Sequence, residues 1–224
     1  MNFKTFSNKY WQNRNQPLVY RHRAALDLIG GGKVLDLGCG DGLFMELLRK
    51  KGIKGSGVDF SKTAIEKCKM KGLEACFIDG SQENLPIADN SFDYVTILDV
   101  LEHLPCPEKL LSEAKRISKK YIIISVPNFS SLPARIQMAR GRVPENNKEN
   151  KGHAFWFSYP VLKSLLKKNN LDIAELRINT FWKTKPIVGR LFGRLALWRP
   201  SLFALSFVVK VKKYPVRNPV DIFC

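Results

Sequence analysis

The stretch Lys33-Val-Leu-Asp-Leu-Gly-Cys-Gly-Asp-Gly42 constrains this chain more than any other. Val34 to Leu37 are of strand type, glycines follow at positions 38, 40 and 42, and apolar residues from Leu43 to Leu48 recur at helical spacing. Strand, tight turn and helix in that order open a parallel α/β sheet. At the carboxyl end of such a strand, a glycine turn lets backbone approach a nucleotide-like ligand that a Cβ would hold away. A phosphate-binding loop is excluded, because no Lys-Ser or Lys-Thr pair closes the turn. A dinucleotide fingerprint is weakened, because its third glycine would fall on Leu43. A turn that merely caps a strand stays open on this stretch alone.

A second short strand ends in Asp59, 21 positions after Gly38. A carboxylate there can accept hydrogen bonds from both hydroxyls of an adenosine ribose, which nicotinamide cofactors and other adenosyl ligands share. Ser61 offers an N-cap for a helix over 62–70. Further apolar runs predict strand four over 94–98 and strand five over 121–128, stopped by Pro127. Between them a helix starts at Pro107. A helix over 18–29, another over 161–168, and strands over 171–180 and 202–212 complete the pattern.

The pattern Asp36-x-Gly38-x-Gly40-x-Gly42 resembles the glycine motif of class I S-adenosylmethionine (SAM) methyltransferases. The run from Phe77 to Leu104, with Leu85-Pro86, Ser91-Phe92-Asp93 and Glu102-His103, resembles the ubiquinone-biosynthesis-like branch of that class. The resemblance implies one α/β domain with a Rossmann-like doubly wound sheet. That sheet would be mostly parallel with an antiparallel seventh strand, preceded by a helical segment over 1–30 and carrying a helical cap from 129–160 and 181–200. It implies SAM as cofactor: Asp36 near its positive charge, the turn amides of Gly38, Cys39 and Gly40 near its carboxylate, and Asp59 with Phe60 at the ribose side. Gly80, Ser81 and Gln82 would surround the adenine, and Leu98 would lie beside the methionine moiety. Ser81 stands where the family often has aspartate, with Asp79 two residues earlier. A narrower resemblance, carried by Val126-Pro-Asn-Phe129, Arg135 and Gly141-Arg-x-Pro144, is to the methionine-biosynthesis W family. That makes a non-methylating partner protein the main alternative.

SAM carries its own electrophile, so the protein's task is to orient a nucleophile and exclude water. Base candidates at the end of strand four are Asp99, Glu102 and His103, with His103 favoured and His153 second. Three histidines without ligand spacing give no expectation of a metal. Tyr10 and Trp11 are read as packing residues in preference to a cofactor cover, and His22, between Arg21 and Arg23, as solvated.

Charge is divided unevenly. Residues 1–120 carry a balance of +4 and residues 121–224 one of +13, so the excess lies on the half that would build the substrate side. This suits a small anionic or lipid-like acceptor, or peripheral contact with an anionic membrane, better than RNA, for which no binding module is evident. Ile187, Leu191, Leu195 and Trp198 would share one face of a basic amphipathic helix within 186–199. Scattered cysteines at 39, 68, 76, 106 and 224, and an N-terminus unlike a signal peptide, fit a cytoplasmic protein.

Overall fold

A computed structural model describes residues 11–12, 15–78, 84–144, 148, 152–180 and 193–214. Its elements in chain order are α1 (Tyr20–Asp27), β1 (Val34–Leu37), α2 (Leu43–Lys50), β2 (Gly55–Asp59), α3 (Lys62–Met70), β3 (Ala75–Phe77) and β4 (Phe92–Leu98). There follow a 3-10 turn (Leu101–His103), α4 (Pro107–Ile117), β5 (Ser118–Pro127), α5 (Leu132–Ala139), α6 (Tyr159–Lys168), β6 (Leu171–Thr180), α7 (Pro200–Phe203) and β7 (Ala204–Lys213).

The strands form one sheet in the order β3-β2-β1-β4-β5-β7-β6. Neighbours from β3 to β5 pair in parallel, and β7 lies antiparallel to both β5 and β6. This is the doubly wound sheet with a reversed seventh strand that the sequence resemblance implies. Strand order reverses between β1 and β4, so a crevice opens at their carboxyl ends, where the glycine turn and the Asp99–His103 segment both lie.

Burial follows from the runs that predicted the strands. Val95, Ile97, Ile122, Ile123, Ile124 and Val126 are essentially inaccessible, because helices cover both faces of the sheet. One layer gathers Leu111, Ile117, Leu162 and Leu165 from α4 and α6, and the other Ala25, Leu28, Phe44 and Leu48 from the α1 and α2 side. Leu98 belongs to this second layer, where it is buried as core.

The predicted Leu-Pro passage into β4 is held by side chains. Glu113 Oε2 accepts from Leu85 N, while Arg116 donates to the carbonyls of Leu85 and Ile87 and to Asp89. Asn128, at the end of β5, donates from Nδ2 to the carbonyls of Ser201 and Ala204, joining the β5 end to the entry of β7.

Only part of the expected 186–199 helix lies among the described residues. Residues 193–198 are helical, with Ala196 buried, Leu195 half-buried and Leu197 and Trp198 exposed. Trp198 is therefore not on a face turned toward the domain; Arg199 stacks on its ring, 4.7 Å from the centroid. Ile187 and Leu191, like Gly80, Ser81, Gln82, Asp79 and Tyr10, lie outside the described residues. Among the described residues no helix is long and apolar enough to cross a membrane.

Candidate functional site

The glycine turn works by close approach. Gly38 and Gly40 take positive φ angles of 79° and 54°. A Cβ on Gly38 would lie 2.4 Å from a Val100 methyl, and one on Gly40 would lie 2.5 Å from the Trp11 ring. The turn amides expected near a ligand carboxylate have partners within the protein. Gly38 N and Cys39 N donate to the Val58 carbonyl, Gly42 N to that of Cys39, and Gly40 N to Asp59 Oδ2. These donors are consumed in fastening the turn to β2, because the turn is packed between strands and its N–H groups need partners of their own.

Asp59 is consequently a clamp as well as a candidate ligand. Its Oδ2 accepts from Gly40 N at 2.9 Å and its Oδ1 from Ser61 N at 2.8 Å, in a nearly buried position where burial raises its pKa. The Phe60 backbone amide is a third donor to this carboxyl. Phe60 follows, half-buried, and Ser61 caps α3 through Ala64 N as predicted. Cys39 Sγ and Cys68 Sγ both point to the Gly40 carbonyl, which places Cys39 beneath the turn as packing.

Asp36 is buried on β1, and Thr96 Oγ1 on β4 donates to its Oδ1 at 2.6 Å. Burial pushes its pKa up to about 7, against the lowering effect of the Thr96 bond. An ionised carboxylate at this site thus depends on a nearby positive charge. Among the described residues neither Asp36 nor Asp59 forms a salt bridge; their partners are a hydroxyl and amides.

The N-terminal segment closes on the turn. The Trp11 ring is buried against Gly40, Gln16 N donates to Asp41 Oδ2, and Lys71 Nζ donates to the Asp41 carbonyl. Trp11 is therefore packing, as read, but packing on the cofactor turn itself.

His22 is not solvated. It is fully buried with its ring 6.4 Å from that of Phe44, and its Nδ1 accepts from Val19 N. Burial, reinforced by the neighbouring Arg21 charge, lowers its pKa to about 4. A basic flank in the sequence concealed this, because α1 lies with that face against α2 and the sheet.

Arg21, which the sequence reading passed over, also reaches the end of β4. Its guanidinium pairs with Asp99 Oδ2 at 2.9 Å, and its Nε is buried without a hydrogen-bond partner. Asp99 holds a left-handed conformation, φ 54°, and Ser125 Oγ donates to its Oδ1 at 2.5 Å.

Glu102 and His103 follow on the 3-10 turn. Glu102 is buried, its Oε2 has no partner, and burial next to Asp99 raises its pKa. Its backbone carbonyl accepts from both Ala154 N and Phe155 N, which docks the 152–155 segment onto the end of β4. His103 Nδ1 lies 3.1 Å from the Gly152 carbonyl and so carries the proton, while burial lowers the ring's pKa. The His153 ring meets that of His103 edge-on, with centroids 4.9 Å apart. The two histidines among the base candidates named from the sequence are thereby brought together. So are ligand atoms of Glu102, His103 and His153, all within 4.8 Å of one another, a grouping that linear spacing did not anticipate.

Sheet order, reversed β7 and a glycine turn at the switch point define a class I methyltransferase fold. A SAM-dependent methyltransferase of Thermotoga maritima superposes with a TM-score of 0.63 at 22% identity, covering 95% of this chain and 98% of that one. The [4+2]-cyclase SpnF also superposes, with a TM-score of 0.59 at 16% identity over 86% of this chain and 80% of that one. Residues 21–179 match the family described as methionine biosynthesis protein MetW, and the chain belongs to that family. Among curated relatives, the ubiquinone biosynthesis O-methyltransferase of Methylococcus capsulatus is 34% identical over 108 residues, 46% of each chain. The demethylmenaquinone methyltransferase of Paenarthrobacter aurescens is 37% identical over 106 residues, 47% of this chain and 42% of that one. The chain thus spans about half the length of the curated relatives it matches.

Proposed function

We propose that this protein is a SAM-dependent methyltransferase acting on a small acceptor with an anionic or lipid-like part. The observation that carries the reading is the pair of buried carboxyls flanking the glycine turn, Asp36 and Asp59, whose hydrogen-bond donors are all neutral. That pair suits a ligand bringing both a cation and hydroxyl donors, as an aminoacyl-bearing adenosyl sulfonium does. Asp36 would take the positive end, and the acceptor capacity left on Asp59 beside its three backbone donors would take a ribose hydroxyl. SAM supplies the electrophilic methyl group when bound; the chain's residues orient the acceptor and exclude water. Trp11 shields the turn, Arg21 and Asp99 fix the acceptor side of the crevice, and His103, kept neutral by burial, is placed to receive an acceptor proton. The basic excess of residues 121–224 supports an anionic acceptor.

Calorimetric titration of the full chain with SAM and S-adenosylhomocysteine tests this, followed by a methyl-uptake screen over acidic and amphiphilic acceptors. Binding of both ligands, weakened in Asp36→Asn, is expected. Failure of the folded protein to bind either would overturn the cofactor assignment.

A second reading is favoured by the family match over 21–179: a methyltransferase-like partner protein in methionine biosynthesis that binds the cofactor without turnover. The superposition on a cyclase illustrates that this fold hosts other chemistry. SAM binding with no methyl uptake in the screen would favour that reading.

A further inference from the structure

The geometry points to a divalent metal site formed by Glu102, His103 and His153, where the segment after residue 151 docks on the carboxyl end of β4. Three observations converge on it. Ligand atoms of the three side chains lie within 4.8 Å of one another, and each is a donor type that binds borderline transition ions. A metal about 2.0–2.2 Å from each atom needs them somewhat over 3 Å apart, so binding draws the three ligand atoms closer together. Secondly, Glu102 is 1% exposed and its Oε2 has no hydrogen-bond partner among the described residues, an arrangement that costs stability unless something positive satisfies it.

The third observation is the orientation of His103. Its Nδ1–H donates to the Gly152 carbonyl, so the lone pair resides on Nε2. Metal-binding histidines are commonly aligned by a backbone carbonyl in this way, which fixes both the tautomer and the ring direction. The scaffold is also rigid, since Ala154 N and Phe155 N both bind the Glu102 carbonyl and hold His153 beside its partners. Arg21 pairs with Asp99 beside the cluster, and the charges of both act on Glu102 and His103, Asp99 favouring a cation there and Arg21 opposing it.

Two histidines and one carboxylate match the protein ligand set of zinc sites that keep an open position, and Zn²⁺ is the ion this donor set favours. The site does not depend on the methyltransferase reading. Where both hold, His103 serves as a ligand in the metal-bound protein, and the ion's open position would take an acceptor oxygen.

The test is titration of the chelator-stripped full chain with Zn²⁺ against a chromophoric indicator, without SAM, together with the Co²⁺ absorption spectrum. One equivalent at micromolar affinity or tighter is expected, with a Co²⁺ spectrum free of thiolate charge-transfer bands. His153→Ala and Glu102→Gln should each weaken binding at least about tenfold, while Cys106→Ser should leave it unchanged. His153 is only partly buried, so its variant should fold, as circular dichroism will verify. Absent binding, or binding unaltered in a folded His153→Ala variant, would overturn the site.

Discussion

Replacing Asp36 with asparagine should make the ligand-free protein more stable at high pH and leave that gain much smaller at low pH. The side chain is buried on β1 and, among the described residues, its hydrogen bond is a neutral one, from Thr96 Oγ1, which an asparagine oxygen can still accept. A carboxyl that ordinarily titrates near ~3.9 is held here at about 7. Between those values the folded chain keeps a proton that the unfolded chain has lost, so stability declines as pH rises. The cost reaches roughly 4 kcal/mol by about pH 8 and is below about 2 kcal/mol near pH 5. Asparagine bears neither cost. The stability of Asp36→Asn relative to wild type should therefore improve by ~2–3 kcal/mol between about pH 5 and about pH 8, as an order of magnitude. Urea denaturation at the two pH values, followed by circular dichroism, measures it. A difference independent of pH would refute the argument, since it would mean that Asp36 is already ionised at the lower value. The same carboxyl should ionise when SAM binds, so binding near neutral pH should release protons, detectable as a dependence of calorimetric heat on buffer. In the variant that release should vanish, and affinity should fall by roughly ten- to a hundredfold.

Other perturbations follow from the same geometry. Gly40→Ala must place a Cβ 2.5 Å from the Trp11 ring at φ 54°, so it should displace Trp11 and destabilise by ~1–3 kcal/mol, measured by denaturation and by a shift in tryptophan fluorescence. Asn128→Ala strands the carbonyls of Ser201 and Ala204 and should cost ~2–3 kcal/mol, read by urea denaturation, with SAM binding preserved. Trp198→Ala should change stability by less than about 0.5 kcal/mol because the ring is 70% exposed; a large loss would show that it packs against the domain.

Local sequence determined most of the architecture. Alternating turn signals and apolar runs located β1, α2, β2, α3 and β4 closely, because a strand buried on both faces must be apolar, a glycine turn opens α2 and Ser61 supplies the capping oxygen of α3. Glycines 38, 40 and 42 located the crevice, since their left-handed conformations are costly for other residues. Linear sequence could not reveal which hydrogen bonds the turn had already spent. Gly38 and Cys39 donate to Val58, about twenty residues away, and Gly40 donates to Asp59, so that pairing exists only once β1 and β2 lie side by side.

Electrostatic character was decided by tertiary structure for the same reason. His22 and Asp36 looked ordinary in the chain, yet desolvation moves one to about 4 and the other to about 7. Burial is a property of what packs over a side chain, and no window of neighbouring residues records it. His103 and His153 are fifty positions apart in sequence, and their rings touch only because Gly152, Ala154 and Phe155 hydrogen-bond to the turn after β4. The sequence by itself determined a sheet with an adenosyl-type crevice at its switch point. Only the tertiary structure decided which side chains meet there and in what charge state, because both depend on long-range contacts and on exclusion of water.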